Sequence, residues 1–126
     1  MPTTVTKTIK ASGGDYTSLS NWEAGQQGDL ITLDEIHQGE CYDLGAADTT
    51  ALVINGSPTD ATRYMWGTVA ASDRHAGVWS TSKYRLAVDG TTAVTILDGF
   101  TIFEYVQVDT ARTAGSSNAI LFDTGG

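Results

Sequence analysis

The sequence predicts an all-β fold, a short parallel β-solenoid closed at its N-terminal end by one capping α-helix. Three observations predict it. The opening stretch TVTKTIKASGGDYTSLSNWEAGQQGDLITL reads as a strand, a glycine turn, one short helix and another strand, and strand and turn follow it. Fourteen glycines against two prolines, with abundant Thr, favour many short strands over helices. Apolar positions then recur at the interval of a solenoid coil. Leu30 to Leu52 and Leu86 to Val108 are each 22 residues apart, and Val94 to Ile120 is 26. A β-sandwich or jelly roll with eleven-residue strand spacing is the alternative that this periodicity leaves open.

Each element has its own local reason. Thr3 to Lys10 alternates, with Val5, Lys7 and Ile9 on one side and Thr4, Thr6 and Thr8 on the other, as in a strand with one solvated face. Gly13 and Gly14 break it. Asp15 or Thr17 is placed to cap the helix, while Ser20 with Glu23 has the spacing of a capping box that starts it later. Leu19 and Trp22, three apart, give the helix an apolar face to lay on the core. Gly25 and Gly28 end it, so it depends on tertiary packing.

From Asp29 the pattern turns to strands. Ile31 and Leu33 alternate, and Ile36 follows an acidic pair. Ala51 to Ile54 ends at the turn dipeptide Asn55-Gly56, which Ser57 to Asp60 extend. Tyr64 to Ala71 is apolar, and Ser72 to Gly77 is a polar loop. Tyr84 to Val88 alternates and stops at Asp89-Gly90; Val94 with Ile96, Phe100 with Ile102, and Val106 with Val108 alternate in turn. A Thr/Gly/Ser loop to Asn118 precedes Ile120 and Phe122, and the tail Thr124-Gly125-Gly126 has neither helix nor charged cap. Residues 1–126 are expected to form one domain, 1–28 the strand and capping helix and 29–126 the β coils.

Composition narrows the function classes. With 40% hydrophobic and 17% charged residues, the chain is neither disordered nor membrane-spanning in character. A net charge of −8 argues against wrapping nucleic acid, which needs a basic face. Cys41 is alone, has no partner for an intramolecular disulfide, and is expected to be a small buried apolar residue. MPTTVTKTIK has no apolar signal-peptide core, so synthesis and folding in a cytoplasm are expected.

The segment GGDYTSLSNWEAGQQGDL, with Glu40-Cys41-Tyr42 and later RHAGVWSTSKYRL and ILDGFTI, resembles the start of pectate-lyase-like right-handed parallel β-helix proteins. Similar openings occur in large proteins of marine bacteria and bacteriophages. The resemblance implies a right-handed parallel β-helix whose N-terminal helix covers the first coil, and it implies no catalysis. About four coils fit the chain, and the uncapped end is expected to be covered by a partner. The expected function is a non-enzymatic structural or adhesive protein, a bacteriophage virion component such as a capsid decoration or fibre subunit. Its partners would be further copies or the other capsid or fibre proteins. The alternative is a carbohydrate-active enzyme or carbohydrate-binding module of the pectate-lyase-like group.

No catalytic, cofactor or metal site emerges from the residues themselves. The paired-aspartate NTD and DD motifs, GHG and RIK of polygalacturonase-like relatives are missing. Asp98 and Asp109 have the chemistry of a carboxylate pair, but Asp98-Gly99 reads more simply as a turn. Asp34-Glu35 with Glu40 and Asp43 offer oxygen ligands for calcium without a DxDxDG loop. His37, Glu40 and Cys41 fall short of a closed zinc set, and His37 is expected at the surface or in a turn. Asp73-Arg74-His75 lacks a nucleophile elbow and reads as a loop fastened by Arg74 to a carboxylate. No Walker or GxGxxG pattern supports nucleotide binding. Trp66 and Trp79 bracket that loop and, with Arg74, His75 and Tyr84, are the expected interface or glycan-binding residues.

Overall fold

A computed structural model describes residues 1–111 and 119–122; the Thr/Gly/Ser loop to Asn118 and the Gly125-Gly126 tail fall outside them. Strand β1 (Thr3–Ile9) leads to helix α1 (Leu19–Gln26) and a one-turn helix α2 (Leu30–Leu33). Strands β2 (Glu35–Cys41), β3 (Leu52–Ile54), β4 (Met65–Val69), β5 (Arg85–Asp89), β6 (Val94–Ile96), β7 (Thr101–Phe103), β8 (Gln107–Ala111) and β9 (Ile120–Phe122) follow. They form three sheets, ordered β1-β2-β4-β7, β3-β6-β9 and β5-β8, and every pair is parallel. No helix among the described residues is long and apolar enough to cross a membrane.

This is a small α/β domain of parallel sheets and two short helices, which corrects the all-β solenoid expected from the sequence. Two findings overturn it. First, the Ile31/Leu33 alternation belongs to a helix. Asp29 caps it, accepting from the Thr32 amide (3.1 Å) and hydroxyl (2.8 Å), and Asp34 closes it in the left-handed conformation at φ 59°. A short polar side chain that bonds its own neighbouring backbone outcompetes a strand ladder here. Only Leu30 turns inward, leaving Ile31 and Leu33 exposed at 44% and 53%. Second, the coil repeat is missing. Leu86 does lie beside Val108 and Val94 beside Ile120, but Leu52 pairs with Val94, 42 residues on, and Leu30 pairs with no strand. Without a constant repeat or a helix-free wall, no β-helix is indicated.

The inward residues of all three sheets share one core, which includes Ile9, Cys41, Met65, Leu52, Ile54, Leu86, Val94 and Ile96. Helix α1 adds Leu19 and Trp22, both fully buried. Its cap is Ser18, whose Oγ accepts from the Asn21 amide at 3.0 Å, rather than Asp15, Thr17 or Ser20. Asp15 is committed elsewhere: its carboxylate accepts from the Thr8 amide (2.9 Å) and locks the 8–15 turn. The Trp22 indole lies on Gly39 of β2, where even a methyl group would come within 2.7 Å of the ring.

Turns are fastened to one another by carboxylates. Asp98 accepts from the amides of Gly56 (3.0 Å) and Ser57 (3.1 Å), so Asp98-Gly99 is a turn that also holds the turn beside it. Glu23 of α1 is 5% exposed and accepts from the Gln27 amide group (2.6 Å) and, at 3.5 Å, from the Asn55 backbone. Burial raises the Glu23 carboxyl above its ordinary range, against the lowering effect of those bonds. Exposed Asp15 and Asp29 and half-buried Asp60 are lowered, chiefly by backbone amides of Thr8, Thr32 and Thr62.

Two expected outcomes follow from this packing. Gly39→Ala forces a methyl group into a buried indole and should cost about 1–3 kcal/mol, read as a lower urea midpoint at unchanged slope. Glu23→Gln keeps the accepting oxygen but removes the charge. A carboxyl raised in the folded state carries its penalty above the raised value and sheds it as pH falls through it. The variant should therefore be the more stable at pH 7, and its advantage should shrink on acidification. The lowered aspartates lose their own contribution as pH falls, equally in both proteins, so they cancel in this comparison.

Candidate functional site

The strongest concentration of recognition chemistry is the outer face of the four-stranded sheet. Strand alternation places Gly39, Cys41, Met65, Gly67 and Val69 inward and puts Gln38, Glu40, Trp66, Thr68 and Ile102 on the other face, where Thr68 is only 2% exposed. Register aligns the outward residues in two rows. Thr6, Gln38, Trp66 and Ile102 form one across all four strands. Thr8, Glu40 and Thr68 form the next, and Glu104 joins it because its amide bonds Gly67 O at 3.0 Å, extending the β7 ladder by one residue.

Glu104 holds this face together. One of its oxygens accepts from the Trp66 indole N–H at 2.9 Å and from the Thr68 hydroxyl at 3.1 Å. The indole is thereby fixed in orientation, with half-exposed Ile102 beside it. Glu40 sits on the far side of Thr68, two strand spacings (about 10 Å) from Glu104. Its carboxylate accepts from the Tyr42 hydroxyl at 2.9 Å, and that bond raises the phenol above its ordinary value. Lys10 Nζ lies 4.4 Å over the Tyr42 ring, and the Arg74 guanidinium lies 3.8 Å over the Tyr105 ring. Two cation-capped tyrosines thus neighbour a fixed tryptophan and two carboxylates, with no pocket among the described residues.

The residues singled out from the sequence scatter. Trp66 belongs to this face. Trp79 is 46% exposed on the loop before β5, away from it in sequence and sheet. Among the described residues Arg74 pairs with no carboxylate, contrary to expectation: its Nε donates to Val69 O at 2.8 Å, while Asp73 accepts from the Asp43 amide. His75 accepts from the Gly77 amide within its own loop. Tyr84 is 1% exposed and donates to Asp48 at 2.6 Å, so it offers nothing to a surface ligand. Burial raises the Tyr84 phenol and the Cys41 thiol well above their ordinary values, and both stay neutral in the core.

His37 is buried instead of lying at the surface. Its ring nitrogens sit 2.8 Å from Gln26 O and 2.6 Å from Glu35, bridging the end of α1 to β2. The suggested calcium ligands are dispersed, Asp34 on Arg63, Glu35 on His37, Glu40 on Tyr42 and Asp43 on the Gly45 amide. Among the described residues no three His, Cys, Asp or Glu side chains converge on a metal position. Sequence reading missed Glu104 and Thr68 altogether. The Trp66-x-Thr68 alternation was a usable signal for a shared face, but nothing local tied Glu104 to it.

Comparison with known proteins adds no assignment: no family model, curated protein or solved structure matches this chain. Nothing in them identifies a pectate-lyase-like fold, and the bacteriophage and virion assignment that came with that resemblance lacks support.

Proposed function

We propose that this domain is an adhesive, carbohydrate-binding module that uses the outer face of its four-stranded sheet. The observation that carries the reading is the fixed Trp66–Glu104–Thr68 unit with Glu40 in register beside it. An aromatic face held in one orientation offers apolar area at little entropic cost. Carboxylates and an amide flanking it are acceptors, and they match a ligand rich in hydroxyl donors. Glu104 keeps one oxygen for such a ligand while the other orients the indole. The acidic character of the face and of the chain, at −8, favours neutral polysaccharides over acidic ones by charge repulsion.

A panel of neutral and acidic polysaccharides in affinity electrophoresis, followed by titration calorimetry on any retained one, tests this. Trp66→Ala should weaken binding roughly thirtyfold, the loss of about 2 kcal/mol common for a central aromatic contact. Glu104→Gln should weaken it less, since the amide oxygen still accepts from the indole. Retention that survives both substitutions, or none on any polysaccharide, would falsify the assignment of this face.

A further inference from the structure

Two exposed patches away from the sheet face complement one another in charge, and each carries apolar side chains. The first is the loop before β5, where Val78 and Trp79 are 74% and 46% exposed. It is pinned at both ends. Gln107 accepts from the Ser80 amide (2.6 Å) and donates to Ser80 O (2.9 Å), and Lys83 Nζ donates to Ser72 O (2.8 Å). Arg74 anchors the near end on Val69 O and the Tyr105 ring. From 74 to 88 the chain carries Arg74, His75, Lys83 and Arg85 and no carboxylate, inside a protein of net charge −8. The loop is a basic, apolar-tipped knob whose ordering cost is already met by the fold.

The second patch is α2. Ile31 and Leu33 stand out from it among Asp29, Asp34 and Glu35, and Arg63 ties Asp60 to Asp34. The strands of the four-stranded sheet all run one way. Helix α2 leads into the start of β2, whereas the knob follows the end of β4. The two patches therefore join the chain at opposite ends of these parallel strands.

We propose that the Val78–Trp79 knob of one molecule docks on the α2 patch of a second copy of this chain. The contact joins unlike surfaces, so each added molecule still presents one of each, and association runs on to a ring or filament. None of the docking residues Val78, Trp79, Ile31 and Leu33 belongs to the face assigned to carbohydrate binding, so either can fail alone.

Sedimentation velocity of the full chain over a concentration series tests it. At ~0.01 M ionic strength, species heavier than the 13.3 kDa monomer should grow with concentration, and at ~1 M, where the Debye length is ~3 Å, they should recede. Trp79→Ser and Leu33→Ser should each remain monomeric with an unchanged circular dichroism spectrum. An equimolar mixture of the two should form a dimer and nothing larger, because one intact knob meets one intact α2. Val78→Ser and Ile31→Ser replace either variant that does not fold. A wild-type chain that stays monomeric throughout, including one that binds anionic vesicles or an acidic peptide instead, overturns the proposal. So do variants that assemble as the wild type does, or a mixture that stays monomeric.

Discussion

A single buried carboxylate joins the parts of this domain. Asp48 is 4% exposed; one oxygen accepts from the Tyr84 hydroxyl (2.6 Å) and the Leu19 amide (3.2 Å), and the other from the Thr50 amide (3.2 Å). Leu19 opens α1, so the bond satisfies a helix N–H that has no partner within the helix. The Asp48 backbone meanwhile bonds Arg85 O and the Ala87 amide, adding an isolated bridge to the edge of β5. Helix and sheet are therefore aligned by the two ends of one residue. A buried carboxyl group needs hydrogen-bond partners, and here two amides and a phenol supply them.

That alignment reaches the outer surface through the strands. Once α1 is fixed, Trp22 sits on Gly39, and Gly39 sets how closely the helix approaches β2. The next residue, Glu40, points the other way, beside Thr68. A strand slipped by one position would exchange the two faces, putting Glu40 against the indole and a glycine on the surface. Packing inside and recognition outside are thus specified by the same register.

Much of the local structure was legible in the sequence and the assembly was not. Leu19 and Trp22 sit in the core, Asn55-Gly56 and Asp98-Gly99 are turns, β6 begins where alternation places it, and β5 begins one residue later than expected. Alternation misled at Ile31 and Leu33, because Asp29 and Asp34 carry strong helix-boundary bonds that a hydrophobic pattern does not register. His37 was misplaced for a related reason: its burial depends on Gln26 O and Glu35, partners that only the folded chain supplies. The outer face was half visible, through Trp66. Glu104 lies 38 residues beyond that tryptophan, and only the β4–β7 register brings them together.

The parallel pairing of every strand also sets a tempo. Among the described residues no strand pair is a hairpin; the shortest joins Arg85 to Gln107 and the longest Leu52 to Val94. Each ladder therefore waits on closure of a loop of 22 residues or more before its first bond forms. Chains built this way fold at the slow end of their size class, on the order of milliseconds to seconds. Early folding then has few elements able to form alone, since α1 spans eight residues and α2 four. Until those long loops close, the strand edges stay unpaired and open to neighbouring chains.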